Sequence, residues 1–127
     1  AWIDLLPEGL KRPILGAGTG CSFYLAGIAI RDWHVMHNSF LQVFLETGII
    51  GFIFYACLFI LPYKQYRKLR LKRGRVFSEQ IERFKFILLS IAAFAVTSFF
   101  LPQAYSPILY LLSGIAVIQA NLCNSSR

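Results

Sequence analysis

Ser39–Tyr63 reads SFLQVFLETGIIGFIFYACLFILPY and carries a single charged side chain, Glu46. A run this long and this apolar can cross the roughly 30 Å of hydrocarbon in a bilayer. Backbone groups inside hydrocarbon must be satisfied within the chain, so the run reads as a helix. Ser39 followed by Gln42 fits a Ser-x-x-Gln capping box, which places the start at Asn38 or Ser39; Pro62 marks the end. Gln42 and Glu46 are four apart and therefore share a face.

Downstream of this run the character changes abruptly. Nine of the 13 Lys and Arg residues lie between positions 64 and 85: Lys64, Arg67, Lys68, Arg70, Lys72, Arg73, Arg75, Arg83 and Lys85. A basic stretch flanked by apolar ones is the positive-inside signal, so residues 64–85 are expected to form a cytoplasmic loop. Within it Ser78-Glu-Gln-Ile-Glu-Arg83 reads as a helical turn leading onward. Residues 86–101 form a second apolar span, 102–107 a turn bounded by Pro102 and Pro107, 108–122 a third span and 123–127 a polar tail. Upstream, residues 1–38 are mixed. Ile3, Leu5, Leu6 and Leu10 suggest a short amphipathic turn, and Pro13-Ile-Leu-Gly-Ala-Gly-Thr-Gly20 is a loop by its glycines. With residues 64–85 inside, residues 1–38 and the 102–107 turn face the extracytoplasmic side.

The expected fold is therefore an all-α integral membrane protein. Three transmembrane helices follow an extracytoplasmic segment that is Gly-rich and contains histidine. Composition agrees: 57% of residues are hydrophobic and 15% charged, against about a quarter charged in soluble domains. The net charge of +7 does not indicate nucleic acid, because the cations sit between apolar runs and no aromatic-basic motif accompanies them. Cys21, Cys57 and Cys123 are odd in number and match no disulfide or metal framework. No signal peptide pattern is visible, and the chain opens at Ala1 without an initiator Met, so it reads as the C-terminal piece of a larger polytopic bundle.

His37 directly precedes the expected helix start. Unpaired N–H groups and the positive end of the helix dipole favour an anion there, such as phosphate. The same field works against imidazolium, which makes His37 a candidate general base. Gly48 and Gly51 would let a neighbouring helix approach closely. Arg12 and Arg31 are candidates for contacting phosphate. His34 stands three residues before His37 with Asp32 nearby, but no third firm ligand is evident and no metal site is expected; His34 is instead a candidate substrate-binding polar residue or an interfacial one. Glu46 within an apolar helix is costly unless it faces a polar cavity or a partner, so Glu46 and Gln42 are candidates for orienting a basic group, binding hydroxyl groups or tying helices together. Gly16, Gly18 and Gly20 follow no strand and precede no Lys-Ser/Thr; they read as turn glycines, not a nucleotide loop.

The Gly-rich stretch 13–20, then His37-Asn-Ser-Phe-Leu-Gln42, then Glu46-Thr-Gly48-Ile-Ile-Gly51, resembles the shared domain of O-antigen ligases and O-antigen polymerases. The match covers residues 13–62, in the family's order. The resemblance implies a multi-span, metal- and cofactor-independent inverting glycosyltransferase of the bacterial inner membrane, with its site facing the periplasm. Its donor would be a glycan on undecaprenyl diphosphate, and its acceptor the lipid A-core or another glycan. His37 would deprotonate the acceptor hydroxyl, with Asn38 beside it in the motif. Arginines would hold the diphosphate; the family's own lie upstream of this segment, and Arg12 and Arg31 match no family position. A non-enzymatic transport protein or a structural subunit are the alternatives; transport would require intramembrane charge pairs or broken helices.

Overall fold

The computed structural model describes residues 2–30, 37–71 and 78–125. They form α1 (Trp2–Leu10), α2 (Ser22–Ile30), α3 (Ser39–Leu71), α4 (Ser78–Ser98) and α5 (Pro107–Ser125), with no strand among the described residues. Two compact units divide the chain. One is Ala1–Ala56 with Val96–Tyr105; the other is Cys57–Ala95 with Ser106–Arg127.

In the first unit α1 packs against α2. Leu5, Ala26 and Leu45 are its buried centre, with Leu25 and Leu41 against them. Leu6 and Leu10 are exposed, so α1 buries the stripe of Leu5 and Gly9, one turn apart. A methyl group on Gly9 would come within 2.8 Å of the Leu45 side chain. The small residue thus sets how closely α1 lies on α3.

In the second unit Leu69, Phe84, Ile91, Ala116, Ala120 and Cys123 are buried together. Phe84 meets Tyr66 edge to face, with ring centroids 5.7 Å apart, a favoured aromatic geometry. Ala116 and Ala120 give α5 a narrow face one turn long. The ion pairs Glu79–Arg83 and Glu82–Lys85 on α4 are exposed and add little to stability.

The helix boundaries differ from the sequence reading. Pro62 was expected to end the first span, yet α3 continues to Leu71. A proline has no N–H to give the carbonyl four residues back, here Leu58. That carbonyl instead accepts a hydrogen bond of 2.9 Å from the Ser113 hydroxyl of α5. The freed acceptor is satisfied from outside the helix, so the helix need not stop. Lys64, Arg67, Lys68 and Arg70 consequently stand exposed on helix, while Leu69 turns inward. Lys72, Arg73 and Arg75 lie outside the described residues.

By length and composition, α3 is the one described helix able to cross a membrane; Pro107–Cys123 of α5 is shorter. Residues 86–98 of the second expected span are helical. α4 opens with Glu79, Glu82, Arg83 and Lys85 and ends at Ser98, which leaves Phe99, Phe100 and Leu101 in a turn. Only 22% of the apolar window of α3 is buried within the chain, and such broad apolar exposure calls for lipid or further protein.

The repair at Pro62 predicts a specific coupling. Ser113→Ala should lower stability by about 1 kcal/mol, the cost of orphaning a part-buried carbonyl. In a Pro62→Ala background, where the helix supplies its own donor, Ser113→Ala should cost markedly less. A double-mutant cycle on thermal unfolding reads the difference; equal costs in both backgrounds would show that Ser113 does not serve the Leu58 carbonyl.

Candidate functional site

The start of α3 is capped by Asn38. Its side-chain Oδ1 accepts from the Leu41 N–H at 3.0 Å, and its carbonyl accepts from the Gln42 N–H at 3.0 Å. This is an N-cap arrangement. The Ser39–Gln42 capping box is not formed, because Ser39 is engaged elsewhere. Its fully buried hydroxyl donates to the Leu101 carbonyl at 2.7 Å and accepts from the Gln103 N–H at 2.6 Å. Ser39 thereby fastens the head of α3 to the turn between α4 and α5. His37 is exposed, one residue ahead of the cap.

About two and a half turns along, the helix breaks. Gly48 has φ 66° and ψ −163°, a region open essentially only to glycine. A break orphans the carbonyls before it and the N–H groups after it. The Gly-rich loop supplies the missing partners. Ala17 N–H donates to the Leu45 carbonyl at 2.8 Å, Gly18 N–H to the Glu46 carbonyl at 2.9 Å, and Ile49 N–H donates to the Pro13 carbonyl at 2.8 Å. The loop thus completes both halves of the helix with backbone alone.

Such contact requires the two chains to touch without side chains between them. A Cβ at Gly16 would overlap the Glu46 carbonyl, and one at Gly48 would overlap the Ile14 carbonyl. The sequence reading assigned Gly48 and Gly51 to packing against a neighbouring helix. Instead Gly48 makes the break. The space a Gly51 side chain would need is filled by Thr47 of the same helix, whose hydroxyl donates to the Val43 carbonyl at 2.7 Å.

Glu46, expected to be costly in an apolar helix, is 2% exposed. Gln42 Nε2 donates to its Oε1 at 3.3 Å, and the Tyr105 hydroxyl donates to its Oε2. That hydroxyl also accepts from the Gly20 N–H at 3.2 Å. Gln42 and Glu46 do share a face and a hydrogen bond. No ion pair reaches Glu46 among the described residues. Gln42 Oε1 is buried without a hydrogen-bond partner among them.

Of the remaining candidates, Arg12 is exposed in the turn after α1, where its carbonyl accepts from Gly16 N–H at 3.0 Å. No hydrogen bond or ion pair joins its side chain to His37, Gln42 or Glu46 among the described residues. Arg31, Asp32 and His34 lie outside the described residues. Among those described, no three His, Cys, Asp or Glu side chains gather as a metal site would require. Tyr105 was missed by the sequence reading. It stands 59 residues from Glu46 and 85 from Gly20, and a tyrosine in a Pro-bounded turn carries no local signal of either contact.

Comparison with known proteins gives one informative match. A Rickettsia conorii protein named "putative polysaccharide ligase" is 36% identical over 88 aligned positions, which cover 61% of this chain and 21% of the relative. The chain therefore spans about a fifth of the length of the curated relative it matches. The similarity ties the chain to polysaccharide-ligase-like proteins in general terms. No family model matches, and no solved structure matches.

The mutual contact of Gly16 and Gly48 predicts that alanine at either position disrupts this unit. Each substitution should cost at least ~2 kcal/mol, combining backbone strain with overlap on a backbone carbonyl. Gly114→Ala provides the contrast. Gly114 is helical with open space around it, and alanine there should be neutral or stabilise by up to about 1 kcal/mol. Thermal unfolding of the three variants checks the order.

Proposed function

We propose that this chain is the catalytic-loop portion of an O-antigen ligase-like membrane glycosyltransferase. The observation that carries this reading is His37 itself: exposed, immediately ahead of the Asn38 cap of the long apolar helix, and followed at family spacing by Glu46, Gly48 and Gly51. The similarity to a polysaccharide ligase supports glycan chemistry in general. The donor is a glycan on undecaprenyl diphosphate, and the acceptor a hydroxyl of the lipid A-core.

In this mechanism the His37 imidazole takes the proton of the acceptor hydroxyl as its oxygen attacks the anomeric carbon. A new glycosidic C–O bond forms, the bond to the diphosphate breaks, and the lipid diphosphate leaves with that electron pair. Attack opposite the leaving group inverts the anomeric centre. No metal is required if arginines, Arg12 and Arg31 or others in the longer protein, balance the diphosphate charge. Three spans, with His37 on the periplasmic side of the inner membrane, are the topology this chemistry asks for. Exposed apolar flanks on α4 and α5 and the basic end of α3 support it. A polymerase of the same type would differ only in its acceptor, another carrier-linked glycan.

The break in α3 is a feature expected of transporters, which use unwound backbone to bind ions. Here Ala17, Gly18 and Pro13 occupy the freed groups, which favours a structural break over an ion site.

The test is complementation by the full-length gene carrying His37→Ala, with surface polysaccharide resolved on a gel and membrane protein level measured. Loss of polysaccharide at normal protein level is expected, with the wild type restoring ladders on lipid A-core for a ligase. Full activity of His37→Ala would contradict the general-base role.

A further inference from the structure

We infer that Tyr105 is a positioning residue for His37, an inference that rests on the function proposed above. The turn between α4 and α5 is fastened at both ends, and one of its anchors is Ser39, two residues from His37. At one end the Ser39 hydroxyl bonds the backbone of Leu101 and Gln103. At the other, the Gly20 N–H bonds the Tyr105 hydroxyl. The same hydroxyl donates to Glu46 Oε2, and Glu46 lies two residues before the break that the Gly-rich loop completes. One oxygen atom therefore joins three stretches of chain: the end of the Gly-rich loop, the acidic face of α3 and the α4–α5 turn.

Tyr105 is 57% exposed, and its phenol oxygen makes these links. Removing that oxygen leaves Glu46 Oε2 and Gly20 N–H without this partner, and it frees one end of the turn whose other end holds Ser39. A catalytic base must lie within hydrogen-bond reach of the proton it takes. Small displacements of such a group are costly in rate, up to ~10²-fold for about 1 Å. Tyr105 touches no reacting atom; it acts through the α4–α5 turn and Ser39, two residues from His37.

The experiment compares Tyr105→Phe, His37→Ala and wild type, each as the full-length gene product in native membranes. Initial rates of glycan transfer are measured against acceptor concentration and normalised to folded protein. Tyr105→Phe is expected to lower kcat about tenfold or more with KM for the acceptor unchanged. Glu46→Gln, which keeps an acceptor for the phenol, should retain more activity than Glu46→Ala. A wild-type kcat per folded Tyr105→Phe molecule, with His37→Ala inactive, would overturn the positioning role while leaving the proposed function standing. So would a loss confined to the amount of folded protein. Full activity of His37→Ala would instead remove the proposed function, and this inference with it.

Discussion

A backbone group in an apolar helix has nowhere to find a partner except within the protein, and α3 breaks its own hydrogen-bond ladder twice. Gly48 interrupts it by conformation and Pro62 by lacking an N–H. Each orphaned group would cost about 1–3 kcal/mol if left buried and unpaired. Both interruptions are met by groups distant in sequence. The Gly-rich loop answers the first with two donors and one acceptor, and Ser113 answers the second with a hydroxyl. Much of each unit's arrangement follows from these obligations. The loop must lie flat on α3, which demands glycine on both sides of the contact, and Ser113 must face Leu58.

The candidate site is built on the first of these repairs. Since the loop is spent on completing α3, its glycines hold backbone against backbone; they do not cradle a nucleotide phosphate. His37 is left exposed at the capped head of the helix. Glu46 is withdrawn into the protein and occupied by Gln42 and Tyr105. Under the proposed function the two side chains therefore divide their roles: His37 is the candidate base, and the Glu46 carboxylate holds the scaffold.

Much of this was legible in the sequence. The apolar run announced α3, Ser78-Glu-Gln-Ile announced the start of α4, and the four-residue spacing of Gln42 and Glu46 announced their shared face. What stayed hidden depended on partners far along the chain. Pro62 reads locally as a stop, and only Ser113, 55 residues away, lets the helix continue. Gly48 and Gly51 read as a small-residue packing stripe because their spacing fits one. The break is visible only once the Gly-rich loop is brought against it. Ser39 looked like a cap because Ser-x-x-Gln is a capping pattern, yet its neighbour Asn38 takes that role and frees the hydroxyl for the α4–α5 turn. Tyr105 had no local signature at all.

Amide hydrogen exchange on the full-length protein in lipid nanodiscs tests the central claim, that the Gly-rich loop supplies the missing rungs of α3, most directly. If it does, the Ala17, Gly18 and Ile49 amides are protected together, and Gly16→Ala releases all three at once. Rapid exchange at Ala17 and Gly18 with Ile49 still protected would contradict it, since the loop would then hang free and α3 would satisfy its own backbone through Gly48.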